Sequence, residues 1–500
     1  MMLGYRTRLQ LCLAALIANA VSLEFPPNAN HIFNSIHSSM RQWGSSLNHN
    51  GMSFYLATVP EGTQLYHGDA KSDPIQGPEW LAFEAEHALV FAHPRPPHPH
   101  GPPGGKDGKK RGPPPPKKRE QQQQQILGPM PQQKSGYLHT FAAAKDLRLL
   151  YVDGMSAGKT DNGTMDTQDY LLFRNKMGDG GGMMGENKRA ELFCEMVKDK
   201  WEGTLDGVLR MEAGFEIILC DFSTLDVLQV ARVKPAAEGK PGDGFKMPGE
   251  QKWLPAVASR YWNIGGDRVI LDYEQFVTAY TYGLDLFPNG EKTQPRLRHL
   301  STTELAPILV DLDSLILGRK AKEPLTDWQT IADMVVERYG ARLRFLASGQ
   351  ASSLEHLQEE IEDIVTPFID YDRRNRSLEV DRCSRQFVKR STPVTSVAAD
   401  AVLSVSRSVC ATLLDALSHT EYDTIVAQIQ GLMDYLGWTT WKYCNGCGDH
   451  EICMIPMWPM GTVDDYEHPR CRDYSKLNGD GPRYWGGHGP PPKSDPSFSF

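Results

Sequence analysis

The chain has 500 residues, a formal net charge of −9 and 40% hydrophobic residues. That length accommodates two or three domains with a sizeable core. The acidic balance argues against general nucleic-acid binding, which needs a basic surface. No run beyond the N-terminus approaches the ~20 consecutive apolar residues of a spanning helix, so no membrane span is predicted.

Arg6 and Arg8 precede a short apolar run at 11–18, and Ala18-Asn19-Ala20 reads as a cleavage site. Residues 1–20 are therefore predicted to be a secretory signal peptide, and the mature protein to be secreted and extracellular. Cys12 falls within that signal, leaving Cys194, Cys220, Cys383, Cys410, Cys444, Cys447, Cys453 and Cys471. An even count in an oxidising compartment favours disulfides, with the pairing left open. Asn162-Gly163-Thr164 and Asn375-Arg376-Ser377 are acceptor sequons that would be glycosylated there.

Ile32, Phe33, Ile36, Met40 and Trp43 recur at helical spacing, with Asn30 as the N-cap of one amphipathic packing helix. A turn at 60–62 leads into a strand-like run, Thr63 to Gly68, that ends in His67-Gly68. Glu79-Trp80-Leu81-Ala82-Phe83 follows and leads into a helix over 84–92. Residues 93–135 switch to Pro, Gly, Gln, His and Lys/Arg, and are predicted to be a disordered insert within one domain. Its basic clusters at 109–111 and 117–119 read as solvated charge or as dibasic processing sites.

Tyr137 to Phe141 and Asp146 to Asp153 read as strands, and 186–201 as a helix with Ala190, Phe193, Cys194 and Val197 on one face. The segment 206–220 reads as one strand. Its alternation would place Glu212, Glu216 and Ile218 on a common face. A carboxylate within a buried strand costs several kcal/mol unless it is paired or used, which singles out Glu216. Pairing with Arg210 is the plain structural alternative.

From 250 to 440 the pattern is mostly helical. Tyr273, Phe276, Val277 and Tyr280 are spaced as one helix face, and further helices are predicted at 331–345, 354–364, 394–417 and 422–436. Residues 441–475 are cysteine-rich, and Cys444, Cys447, Cys453 and Cys471 are read as two local disulfides rather than a metal site, so no metal is expected. Residues 476–500 are Gly/Pro-rich and predicted to be disordered. Gly158-Lys159-Thr160 lacks the glycine cradle of a phosphate loop, and Asp311-Leu312-Asp313 lacks the remaining ligands of a calcium loop.

Leu65-Tyr66-His67-Gly68, Pro78 to Phe83 with Ala88 and Phe91-Ala92, Asp206-Gly207 and Glu216 to Cys220 together resemble the ADP-ribosyltransferase-like fold, in its His-Tyr-Glu branch. The resemblance covers residues 55–225. It implies an α+β domain over 21–225 built on a small split mixed or antiparallel sheet, followed by the helical region. It also implies NAD as substrate, with His67 on a ribose hydroxyl, Gly68 against the nicotinamide amide and Trp80, Phe83 or Tyr137 stacked on the ring. Glu216 would stabilise the oxocarbenium charge, with Glu212 as its competitor. No clean match to the family's tyrosine is present. The whole chain is also similar to a group of uncharacterised secreted fungal proteins, a likeness that implies no activity.

Two functions follow as expectations. One is NAD-dependent ADP-ribosyl transfer or NAD glycohydrolysis on a protein or small-molecule acceptor. The other is a non-catalytic, disulfide-stabilised secreted glycoprotein acting as a binding module.

Overall fold

The computed structural model describes residues 25–92, 135–174, 176–177, 185–234, 250–258, 267–290, 293–318, 326–474 and 483–486. The signal peptide at 1–20, nearly all of the insert at 93–135 and most of the 476–500 tail lie outside the described residues. The chain divides into two compact units, residues 38–322 with 442–500 and residues 1–37 with 323–441.

The helical unit opens with α1 (Ala29–Ser38). The predicted long helix is broken beyond it, because Met40 takes a positive φ of 55°, and Trp43 falls in a separate helix, α2 (Gln42–Leu47), which belongs to the other unit. Asn30 does not cap α1; its side-chain nitrogen donates to the carbonyl of Tyr435 at 2.6 Å.

The other unit is built on β1 (Asn50–Val59), β2 (Gln64–Asp69), β3 (Glu79–Ala82), α3 (Ala85–Leu89), β4 (Tyr137–Ala143) and β5 (Leu147–Gly154). It continues through α4 (Glu186–Asp199), β6 (Gly207–Met211), β7 (Phe215–Leu219), β8 (Leu225–Arg232), α5 (Glu250–Ala258), β9 (Ile270–Thr278) and α6 (Thr302–Leu317). These strands form one nine-stranded sheet in the order β8-β4-β2-β3-β7-β6-β5-β1-β9. The fold is thus mixed α+β, but the sheet is large and continuous where a small split one was expected. Every pairing is antiparallel except β5–β6, whose parallel register requires a crossover, and α4 lies within it.

Two strand assignments differ from the sequence pattern for physical reasons. Residues 206–220 are not one strand but the hairpin β6–β7, turned through Glu212-Ala213-Gly214, where Gly214 takes φ 130°. A side chain there would also meet the ring nitrogen Nδ1 of His87 at 2.8 Å, so glycine is required twice over. The supposed helix face at 273–280 is largely strand β9. A register shift between the partners of Tyr55 and Ala57 inserts extra residues into β9, and that irregularity imitates helical spacing.

One core cluster packs Phe54, Leu150, Val152, Val208 and Ile218 of the sheet against Phe193 and Trp201, and against Ile308 and Leu312 of α6. α6 begins in a capping box between Ser301 and Glu304, and it carries the Asp311-Leu312-Asp313 triplet.

The helical unit continues with α7 (Trp328–Ala347), α8 (Leu354–Val365), α9 (Arg376–Ser384), α10 (Val397–Ala416) and α11 (Tyr422–Leu436). α10 is the one helix among the described residues long and apolar enough to cross a membrane, and its span is 72% buried inside the protein. The terminal part of the sheet unit forms β10 (Glu451–Met454), α12 (Val463–Glu467) and β11 (Arg470–Asp473). Disulfides join Cys194–Cys220, Cys383–Cys410, Cys444–Cys453 and Cys447–Cys471. The four tail cysteines are therefore consumed in two local bridges.

Candidate functional site

Strand register decides which of the expected site residues meet. Tyr66 lies opposite Ala82, and Ala82 opposite Glu216, so these three side chains share one face of the sheet. His67 follows Tyr66 and points to the other face. There its Nδ1 donates to the carbonyl of Trp80 at 2.6 Å, and its ring packs near His139 and Phe222. Burial pushes the His67 pKa down, against the bond to Trp80. Gly68 has a local reason to be glycine: a Cβ would lie 2.0 Å from the carbonyl oxygen of Ala88 in α3.

The aromatic candidates divide likewise. Trp80 is paired with Ile218 and shares the Glu216 face. Tyr137 is opposite Asp69 and shares the His67 face, with the Arg232 guanidinium over its ring. Phe83 is buried beneath Arg268, which donates to its carbonyl oxygen. The structure thus brings Glu216, Glu212 and Trp80 to one side, with Gly68 on that same face two residues after Tyr66 but packed against α3, and sends His67 and Tyr137 to the other.

Around Glu216 it assembles a charged centre instead. Arg210, wholly buried on β6, donates from Nε to Glu216 Oε1 at 2.8 Å and from Nη1 to Gln168 Oε1 at 2.9 Å. Its Nη2 bonds Glu186 Oε2, at the start of α4. Arg189, one turn along α4, donates to both oxygens of Asp169 at 2.8 Å and to Glu186 Oε1 at 3.1 Å. Lys159 bonds Glu212 in the hairpin turn, and its ammonium lies 4.9 Å from the ring centre of Trp458.

These environments drive the carboxyl groups apart. Burial raises the Glu216 pKa, opposed by Arg210 and reinforced by Glu212. Burial would raise Glu186 too, but Arg210, Lys159 and Arg189 together hold it down at about 2. For Lys159, burial favours the neutral amine, yet Glu212, Glu186 and Glu216 outweigh it and raise the pKa. His87 stands over the hairpin turn. Burial lowers its pKa to about 4 although Glu216 pulls the other way, so its ring is neutral near pH 7.

Two polar atoms at this centre, His87 Nδ1 and Gln168 Nε2, are buried with no hydrogen-bond partner. Buried polar groups are ordinarily satisfied, so orphans beside an ionic cluster indicate a place for a ligand or water. Sequence reasoning missed Lys159, Gln168, Glu186 and His87. Lys159 was visible only as the lysine of a failed phosphate-loop pattern, and the others carried no local signal.

Every residue of this centre except Trp458 falls within one stretch of recognised similarity. Residues 22–240 match the family model described as the YPL277C N-terminal domain. Two curated proteins of Saccharomyces cerevisiae are similar to the chain over a stretch of comparable length. "Uncharacterized protein YOR389W" is 35% identical over 213 residues, 41% of this chain and 34% of that protein. "Uncharacterized protein YPL277C" is 37% identical over 214 residues, 41% of this chain and 43% of that protein. The matched region thus spans less than half the length of either relative. No solved structure matches the chain.

Proposed function

We propose that this is a secreted protein whose charged centre performs acid–base chemistry at a glycosidic carbon, with NAD as the first substrate to test. The reading rests on one observation: among the described residues Glu216, Glu212, Glu186 and Asp169 converge on three cations, Arg210, Lys159 and Arg189, beside two orphaned polar atoms. Four carboxylates facing three cations are neutral overall when one keeps its proton, and burial selects Glu216 for that role. Arg210 engages Oε1, which leaves Oε2 to carry the proton toward a leaving group. The Glu212 carboxylate, oriented by Lys159, would face the developing oxocarbenium charge or activate water. A retained acid beside an ionised partner is the arrangement that glycoside cleavage requires.

NAD enters because its nicotinamide is held by a glycosidic bond and because the sequence resembles NAD-using proteins. The arrangement proposed omits His67. Nicotinamide release from NAD, and aryl release from a panel of aryl glycosides, should fall by about 10²-fold or more in Glu212→Gln and Glu216→Gln. Activity of His67→Ala should stay within about threefold, since it loses no group of the centre. Absence of turnover on all these substrates would leave the second reading, a non-catalytic binding module. That reading is favoured by the way Arg210 and Glu216 close on each other.

A further inference from the structure

Next to Lys159 of the charged centre, residues 483–486 are held as a short peptide would be held. The Tyr484 amide donates to the carbonyl of Gly461 at 3.1 Å, and Thr462 and Arg483 form an isolated antiparallel bridge. Both following carbonyls are read by side chains. Asn162 Nδ2 donates to Tyr484 O and Thr160 Oγ1 to Trp485 O, each at 3.1 Å.

The two rings are read as well. His49 Nδ1 donates to Asn50 Oδ1, which fixes Nε2 as the acceptor for the Tyr484 hydroxyl at 2.7 Å. Burial lowers the His49 pKa to about 3, so that acceptor persists in neutral solution. Tyr484 stacks on Tyr466 with ring centres 4.7 Å apart. Trp485 is buried against His49, and its indole donates to the carbonyl of Met460 at 2.8 Å.

Edge pairing of backbone, donors to successive carbonyls and pockets for side chains together make up a peptide-recognition mode. The same tripeptide occurs a second time in the sequence, as Arg260-Tyr261-Trp262, outside the described residues. We propose that the socket formed by His49, Thr160, Asn162, Gly461 and Tyr466 is a binding site for Arg-Tyr-Trp segments, filled in cis by residues 483–485. A cis segment competes at an effective concentration on the order of millimolar, so the wild-type socket is masked toward peptides in solution.

The test uses the full chain carrying Trp485→Ala and fluorescent peptides spanning residues 480–488 and 257–265. Both peptides should bind the variant at least about tenfold more tightly than they bind wild type. Versions with the Tyr and Trp replaced by Ala should bind neither protein. Should Trp485→Ala fail to fold, a cleavage site placed between Asp473 and Arg483 lets the folded chain be cut, and either peptide should then displace the released tail. The proposal is overturned if neither peptide binds, if only the tail peptide binds, if the alanine versions bind equally, or if wild type binds as tightly as the variant.

Discussion

Arg210 illustrates how much one side chain carries. It is fully buried, and it holds Glu216, Glu186 and Gln168 at once. Replacing it by Met leaves the buried Glu216 carboxyl without its ion-pair partner, while Glu186 keeps Arg189, and removing one member of a buried pair costs about 3–5 kcal/mol. Urea unfolding should show a loss of that order for Arg210→Met. The double change Arg210→Met with Glu216→Met should recover part of it. Equal losses in the two proteins would mean that the pairing contributes nothing.

The histidines set the acid limit. Burial lowers His87 to about 4 and His49 to about 3, from 6.5 in the unfolded chain. Below pH 6.5 the unfolded state takes up protons that the native state refuses, so stability falls as pH falls, down to those folded values. Each such group contributes a slope of at most about 1.4 kcal/mol per pH unit. Urea midpoints should therefore drop between pH 7 and 4.5, and a flat profile would contradict these burials. Of the two sequons, Asn375 is the exposed one, whereas the Asn162 side chain is bonded to Tyr484. Mass spectrometry of the protein expressed through a secretory pathway should find the glycan on Asn375.

At the scale of elements, the hairpin β6–β7 and helix α4 build the centre together. β6 supplies Arg210, the turn Glu212, β7 Glu216, and α4 Glu186 and Arg189. The Cys194–Cys220 disulfide ties α4 to the residue just after β7, with the two Cα atoms 5.5 Å apart. Replacing both cysteines by Ser should cost about 2–5 kcal/mol in thermal or urea unfolding. A loss below about 1 kcal/mol would show that packing alone fixes α4.

The long helices were legible because periodicity survives tertiary context: 422–436 is α11 to the residue, and 354–364 lies within α8. The hairpin was not. Glu212-Ala213-Gly214 carries a single turn residue, and apolar residues on both sides make one strand look continuous. For the site, the sequence singled out Glu216 through the cost of burying a carboxylate, and Arg210 as its partner. It could not show that the chain turns back between them, nor that a register one residue away sends His67 to the opposite face.

At the scale of the molecule, the described residues on either side of the insert meet. Gly136 N donates to Ala92 O at 3.2 Å, so the chain leaves and re-enters the unit at one point. Loop closure costs grow only logarithmically with length. Replacing residues 93–134 by a two-glycine linker should therefore change unfolding free energy by no more than about 1–2 kcal/mol. A larger loss would place the insert within the core.

The chemistry of the charged centre depends most on Glu216 keeping its proton while Arg210, Lys159 and Arg189 are balanced by Glu186, Glu212 and Asp169. Infrared difference spectroscopy across a pH titration reads this directly, because a protonated carboxyl absorbs apart from a carboxylate. A protonated band present above the range of ordinary glutamates, and missing from Glu216→Gln, is the predicted result. A spectrum in which the variant and the wild type titrate identically would contradict it.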